Sequence, residues 1–124
     1  MVTIRHATLT VHGGPRDGLA ILLGERPITM GRRPDNDVVI DDATVSRRHA
    51  MIMSTAYGYV LRDLSSANGT YVNDRKIASM GHLLSSHAII RLAGSEVTLF
   101  FRQEAVSTVV LETDSPAPWT ASPA

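Results

Sequence analysis

The chain has 124 residues, 44% of them hydrophobic, with no cysteine and a formal net charge of zero from 12 basic and 12 acidic side chains. That length suits one domain around one core, the lack of cysteine excludes disulfides and thiolate metal sites, and no run nears the roughly 20 apolar residues of a membrane helix. Neutrality argues against bulk attraction to nucleic acid or acidic membranes, although every basic residue except Lys76 is Arg, whose planar donor fork suits phosphate or carboxylate. The N-terminus starts a strand-like alternation with no charged segment leading into an apolar block. No signal peptide is therefore expected, and a cytoplasmic location is.

Ala7-Thr8-Leu9-Thr10-Val11 alternates with period two, the pattern of a half-buried strand. His12 to Gly18, with three glycines and a proline, is a turn, followed by an apolar run from Leu19 to Leu23 and a second turn, Gly24 to Pro27. Ile28 to Met30 and Val38 to Ile40 are two further short strands. Ala50 to Met53 and Tyr57 to Leu61 form a hairpin around Ser54-Thr55-Ala56. Thr70 to Val72 and Arg75 to Ile77 flank Asn73-Asp74, a pair suited to a tight turn with positive φ. Ala88 to Leu92 and Val97 to Phe101 make a closing hairpin around Ala93 to Glu96. No segment keeps helical periodicity over ten residues, so the expected fold is an all-β sandwich of two twisted, mostly antiparallel sheets. The expected domain covers 1–103. The remainder, 104–124, is rich in Pro, Ser and Ala and reads as a flexible tail or linker, with Val109-Val110-Leu111 as a last strand or docking segment.

Two stretches carry the chemistry. One runs from Met30-Gly31-Arg32-Arg33-Pro34 to Val45-Ser46-Arg47-Arg48-His49; the other is Asp63-Leu64-Ser65-Ser66-Ala67-Asn68-Gly69-Thr70. Each joins anion-suited groups to Gly, which lets backbone N–H groups approach closely. Each abuts an apolar alternation, which places the polar groups at strand ends. Meeting in the fold, they would make a pocket for one phosphate, and a binding module is favoured over an enzyme. Taken singly the arginines suit a solvated loop and Asn68-Gly69 a plain turn; the ordered combination is what points to a site. Asp35, Asp37, Asp41 and Asp42 suggest a calcium loop at first sight, but the Gly and terminal Glu of an EF-hand are missing. The five histidines have no metal-ligand spacing, and Ser46 with His49 has no placeable acid or oxyanion device. No metal, cofactor or catalytic residue is expected.

The order Gly-Arg, Val-Ser-Arg-Arg-His, then Asp-Leu-Ser-Ser-Ala-Asn-Gly-Thr-Tyr-Val-Asn closely resembles the forkhead-associated (FHA) domain, over roughly Val11 to Phe101. The resemblance implies a phosphothreonine-binding β-sandwich of about eleven strands. It implies that Arg32 contacts the phosphate and that Ser46 hydrogen-bonds it through hydroxyl or backbone. Arg47 would add a phosphate or peptide contact, and Asn68 would hold the peptide main chain and help form the methyl pocket. Gly31, His49 and Gly69 match positions that shape the loops, with Arg33 and Arg48 beside them as surface or packing residues. Two positions depart from the family pattern. Ala67 stands where Thr, Ser or Arg is frequent, which removes a side-chain contact but keeps a backbone N–H. Asp74 stands where Gly is frequent, a turn detail.

The partner implied is a phosphothreonine-containing protein or peptide, a Ser/Thr kinase or its substrates, in adaptor signalling. The alternative is a phosphate-independent scaffold or regulatory domain of this fold within a larger protein. A further variant has the site filled intramolecularly by a phosphorylated tail threonine, Thr108, Thr113 or Thr120.

Overall fold

The computed structural model describes residues 2–4, 6–78, 80–103 and 107–109. In chain order the strands are β1 (Val2–Ile4), β2 (Ala7–His12), β3 (Ala20–Leu23), β4 (Ile28–Gly31), β5 (Val38–Val39), β6 (Ala50–Thr55) and β7 (Gly58–Asp63). Then follow β8 (Thr70–Val72), β9 (Arg75–Lys76), β10 (His82–Leu83), β11 (His87–Leu92), β12 (Thr98–Gln103) and β13 (Ser107–Val109). A six-stranded sheet, β3-β2-β12-β11-β8-β9, faces a five-stranded one, β10-β7-β6-β4-β5; β1 and β13 form a separate antiparallel ribbon. The two main sheets thus hold the eleven strands the resemblance implies, and no helix occurs among the described residues.

The expected alternations become the inner faces. Leu9 and Val11 of β2, Leu99 and Phe101 of β12, and Ile90 and Leu92 of β11 are buried against Ile28, Met30, Ile52 and Leu61 of the opposing sheet. Each such side chain contributes about 1.5–3 kcal/mol when fully withdrawn from water. Tyr59 ties the layers together: its ring meets Phe101 edge-on at 5.8 Å, and its hydroxyl donates to the Leu23 carbonyl at 3.0 Å. The buried hydroxyl is thereby satisfied, as a buried polar group must be.

Two features go beyond the expected strand pattern. β10 adds a two-residue edge strand in the long connection after Ile77, pairing with β7. β4 and β5 pair in parallel, Met30 opposite Val38, across a loop of only 32–37. Parallel neighbours usually need a connection of about a dozen residues, so this loop has to be braced. Asp37 supplies a brace by accepting the Thr29 N–H at 2.9 Å and the Thr29 hydroxyl at 3.1 Å. The Thr29 backbone bond holds its carboxyl below the ordinary range, against the opposing effect of burial and with help from Arg26. At Asn73 and Asp74, φ values of 50° and 68° make the tight β8–β9 turn. Of the expected tail, 104–124, Ser107–Val109 form β13, opposite β1; the rest, including Thr113 and Thr120, lies outside the described residues.

Candidate functional site

Three loops converge at one end of the sandwich: 32–37 after β4, 40–49 before β6, and 64–69 between β7 and β8. The first two run alongside each other, with the Arg32 N–H donating to the Ser46 carbonyl at 3.0 Å and the Arg33 N–H to the Arg47 carbonyl at 3.2 Å. Gly31 makes that approach possible. A Cβ there would stand 2.2 Å from the Arg47 carbonyl oxygen, inside its van der Waals shell. Asn36, buried, clamps the same pair of loops. Its amide donates to the carbonyls of Arg33 at 3.0 Å and Arg47 at 2.8 Å, while its oxygen accepts from Arg48 Nη1 at 3.1 Å.

The third loop is tied to the second at several points. The Ala67 N–H donates to Ser46 Oγ at 3.0 Å, Asn68 Nδ2 to the Thr44 carbonyl at 2.7 Å, and the Leu64 N–H to the His49 carbonyl at 2.9 Å. His49, wholly buried, completes the seam. Its Nδ1 accepts the Ser46 N–H at 3.0 Å, so Nε2 carries the ring proton and donates to the Gly69 carbonyl at 2.7 Å. Both ring nitrogens are spent, and the bond to Ser46 goes to its backbone rather than its hydroxyl. This is not the geometry of a nucleophile and its base. Gly69 itself has φ +86°, a conformation side chains resist.

Each pair of adjacent arginines splits into a locked and an open member. Arg33 and Arg48 both reach Asp35, at 3.3 and 2.9 Å. Arg32 is held only through Nε, which donates to the Val45 carbonyl at 3.1 Å. Its two terminal nitrogens, and the whole Arg47 guanidinium, have no partner among the described residues and are exposed. Arg32, Arg47, Ser46, Ala67 and Asn68 are thus gathered by one network, with the loops shaped at Gly31, His49 and Gly69.

Beyond Gly31, His49 and Gly69, three supports of the site are not singled out by the sequence pattern. Asn36 lay hidden in an acidic-looking run. Thr44 carries no mark of its own in the sequence, yet its carbonyl orients Asn68; Asp42 steadies it by accepting its N–H at 2.8 Å and its hydroxyl at 2.5 Å. Asp63 organises the third loop, taking the Ser66 hydroxyl at 2.5 Å and N–H at 3.0 Å and the Thr70 hydroxyl at 2.6 Å. Ser66 Oγ then accepts the Gly69 N–H at 2.9 Å. An Asp followed three residues later by Ser at a strand end was the available signal, since Asp side chains readily close such turns. No group of three or more metal-ligating side chains occurs among the described residues, and no described helix is long and apolar enough to cross a membrane.

Burial pushes the Asp63 carboxyl up, but the bonds from Ser66 and Thr70 outweigh it and bring its pKa below the ordinary 3.8. A lowered folded value means the stabilisation is whole above 3.8 and is lost as pH falls through the folded value. Asp63→Asn should therefore lower stability at neutral pH and flatten the acid limb of a denaturation profile below pH 3.8. An acid limb as steep as wild type would show that Asp63 is not the group responsible.

A β-sandwich that gathers arginines, a serine and an asparagine on loops at one end defines a binding module of the phosphate-recognising class. The FHA domain profile matches residues 28–99, and the chain belongs to that family. It is 46% identical over 67 residues to the oxoglutarate dehydrogenase inhibitor of Corynebacterium jeikeium, covering 54% of this chain and 46% of that protein. It is 42% identical over 73 residues to the glycogen accumulation regulator GarA of Mycolicibacterium smegmatis, covering 59% and 46%. The chain thus spans about half the length of the curated relatives it matches. A structure solved in a study of phosphothreonine-dependent FHA domain interactions superposes with a TM-score of 0.69 at 30% identity, over 81% of this chain and 98% of that one.

Proposed function

We propose that this chain is a phosphothreonine reader acting as an adaptor in cytoplasmic Ser/Thr kinase signalling, and that it performs no chemistry of its own. The observation that carries this reading is the pairing of open and committed donors at the loop end. The terminal nitrogens of Arg32 and the guanidinium of Arg47 are uncommitted, whereas the neighbouring Arg33 and Arg48 are consumed by Asp35. Ser46 Oγ accepts the Ala67 N–H, which leaves its own proton to donate. Its backbone N–H is already used by His49, so the hydroxyl is the serine's contact.

A phosphothreonine brings about −1.5 to −2 charge and three strong acceptor oxygens. Arg32, Arg47 and the Ser46 hydroxyl complement it. Asn68, fixed through one amide hydrogen to the Thr44 carbonyl, keeps its oxygen and second hydrogen for the ligand's main chain. Ala67 acts through its backbone, by orienting Ser46. The relatives' regulatory names and the phosphothreonine-dependent interactions studied for a similar FHA structure support the same reading. The partner would be a kinase or one of its substrates.

The second reading, a phosphate-independent scaffold, draws on Ala67, which offers no side-chain donor and whose N–H is turned inward to Ser46. Calorimetric titration with a phosphothreonine peptide, its unphosphorylated twin and its phosphoserine analogue separates the two. Heat should appear with the phosphorylated peptides only. Phosphothreonine should be favoured by about fourfold, the value of one buried methyl. Equal affinity for the unphosphorylated twin would establish the scaffold instead.

A further inference from the structure

Arg32 also borders a second hollow, of about 320 Å³, shared with Pro15, Arg16, Pro34, Val39 and Asp41. Ser46, Arg47 and Asn68 take no part in it, so it is a neighbour of the proposed phosphate contact rather than the same place. Three charged side chains face it, and no ion pair or hydrogen bond joins Asp41 to either arginine among the described residues. The hollow is therefore net positive and its two guanidinium groups are open. Pro15, Pro34 and Val39 give it apolar walls.

Arg16 is held out by an ordered turn. The β2–β3 connection is closed by the Gly13 N–H donating to Asp17 Oδ1 at 2.7 Å, the Asp17 N–H to the Gly14 carbonyl at 3.2 Å and the Leu19 N–H to the Arg16 carbonyl at 3.0 Å. At its mouth, the Gly18 N–H donates to the Val11 carbonyl and the Val11 N–H to the Leu19 carbonyl, both at 2.8 Å. Gly13, Gly14 and Gly18 all have positive φ, which this path requires. A side chain carried on a braced turn loses less freedom on binding than one on a loose loop.

We propose that Arg16 is a specificity-determining residue: with Arg32 it receives one acidic side chain, Asp or Glu, of the peptide whose phosphothreonine occupies the neighbouring site. The inference rests on the phosphothreonine reading. Because Arg32 borders both places, the acid must lie close to the phosphothreonine, within about three residues for a strand advancing about 3.3 Å per residue. The apolar walls suit the methylenes of Glu. Asp41 disfavours a second dianion in the hollow, which selects a single carboxylate over another phosphate.

The test is fluorescence anisotropy on the full chain with phosphothreonine peptides in an alanine background, a single Glu being moved through the three positions on either side. The readout is the ratio of affinities with and without Glu, taken for wild type, Arg16→Ala and Arg16→Glu. One Glu position should raise wild-type affinity about threefold to fivefold, the scale of an exposed ion pair. In Arg16→Ala the ratio should fall well below the wild-type value, with only the share carried by Arg32 left, and in Arg16→Glu a Lys at that position should be preferred. A flat Glu scan in wild type, or a ratio unchanged in Arg16→Ala, overturns the role of Arg16 and leaves phosphothreonine binding standing. Failure of every phosphorylated peptide to bind sinks the phosphothreonine reading, and this inference with it.

Discussion

Replacing Arg32 with alanine is expected to weaken binding of a phosphothreonine peptide by about 10- to 150-fold, the equivalent of the about 1.5–3 kcal/mol that a hydrogen bond to a charged group contributes. The fold should lose little. Arg32 is exposed, its one side-chain bond goes to the Val45 carbonyl, and its N–H to the Ser46 carbonyl belongs to the backbone and survives the change. Arg32→Lys is the more searching variant. Lysine restores the charge but has no Nε–H placed to bond Val45, so the cation is no longer held in position. Its affinity should fall between wild type and Arg32→Ala. Arg33→Ala offers the contrast, because that guanidinium is already paired with Asp35. Calorimetry on the three variants, with thermal melts as the control for folding, checks the assignment. Equal losses in Arg32→Ala and Arg33→Ala would mean that only bulk positive charge is being sensed.

The longer strands of both main sheets were legible because burial on one face imposes a period of two. Thr8 and Thr10 point away from the core while Leu9 and Val11 are buried within it, and the letters alone display that alternation. β10 was not legible, since His82 and Leu83 are both exposed and, unlike Arg75–Lys76, they are not set beside a turn signal such as Asn73-Asp74. The parallel pairing of β4 with β5 was hidden for another reason: hydrogen-bond partners across a sheet leave no local trace in composition. At the site, the residues with unusual chemistry for their place stood out, as Arg32, Ser46 and Asn68 did. Gly31, His49 and Gly69 stood out as loop-shaping positions, but the contacts that make them and Asn36 necessary did not. That Gly31 has to lack a Cβ follows from where the Arg47 carbonyl lies. Asn36 matters because two carbonyls from separate loops come within 3.0 Å of its amide. Both facts are products of chain closure. The inward turn of the Ala67 N–H is of the same kind, and it moved the expected backbone contact from the ligand to Ser46.

His49→Ala should be the most destabilising single change in the loop region, at about 3–5 kcal/mol. The ring is wholly buried, so its removal opens a cavity. It also leaves the Ser46 N–H without its acceptor and the Gly69 carbonyl without its ring donor. Against a total of about 5–15 kcal/mol for a domain, the loss is a large fraction. Urea denaturation, read as a shift in midpoint at unchanged slope, measures it directly. The loss should extend to binding. His49 joins the loop that carries Ser46 to the loop that carries Asn68, so a variant still folded at low temperature should bind phosphothreonine less well although the ring faces no ligand. His49→Gln is the more discriminating variant, because its amide can restore one of the two bonds across the seam but spans them less well than the imidazole. It should recover part of the stability and part of the affinity together. Recovery of stability without affinity would separate the two and show that the His49 seam maintains the core without positioning the loops.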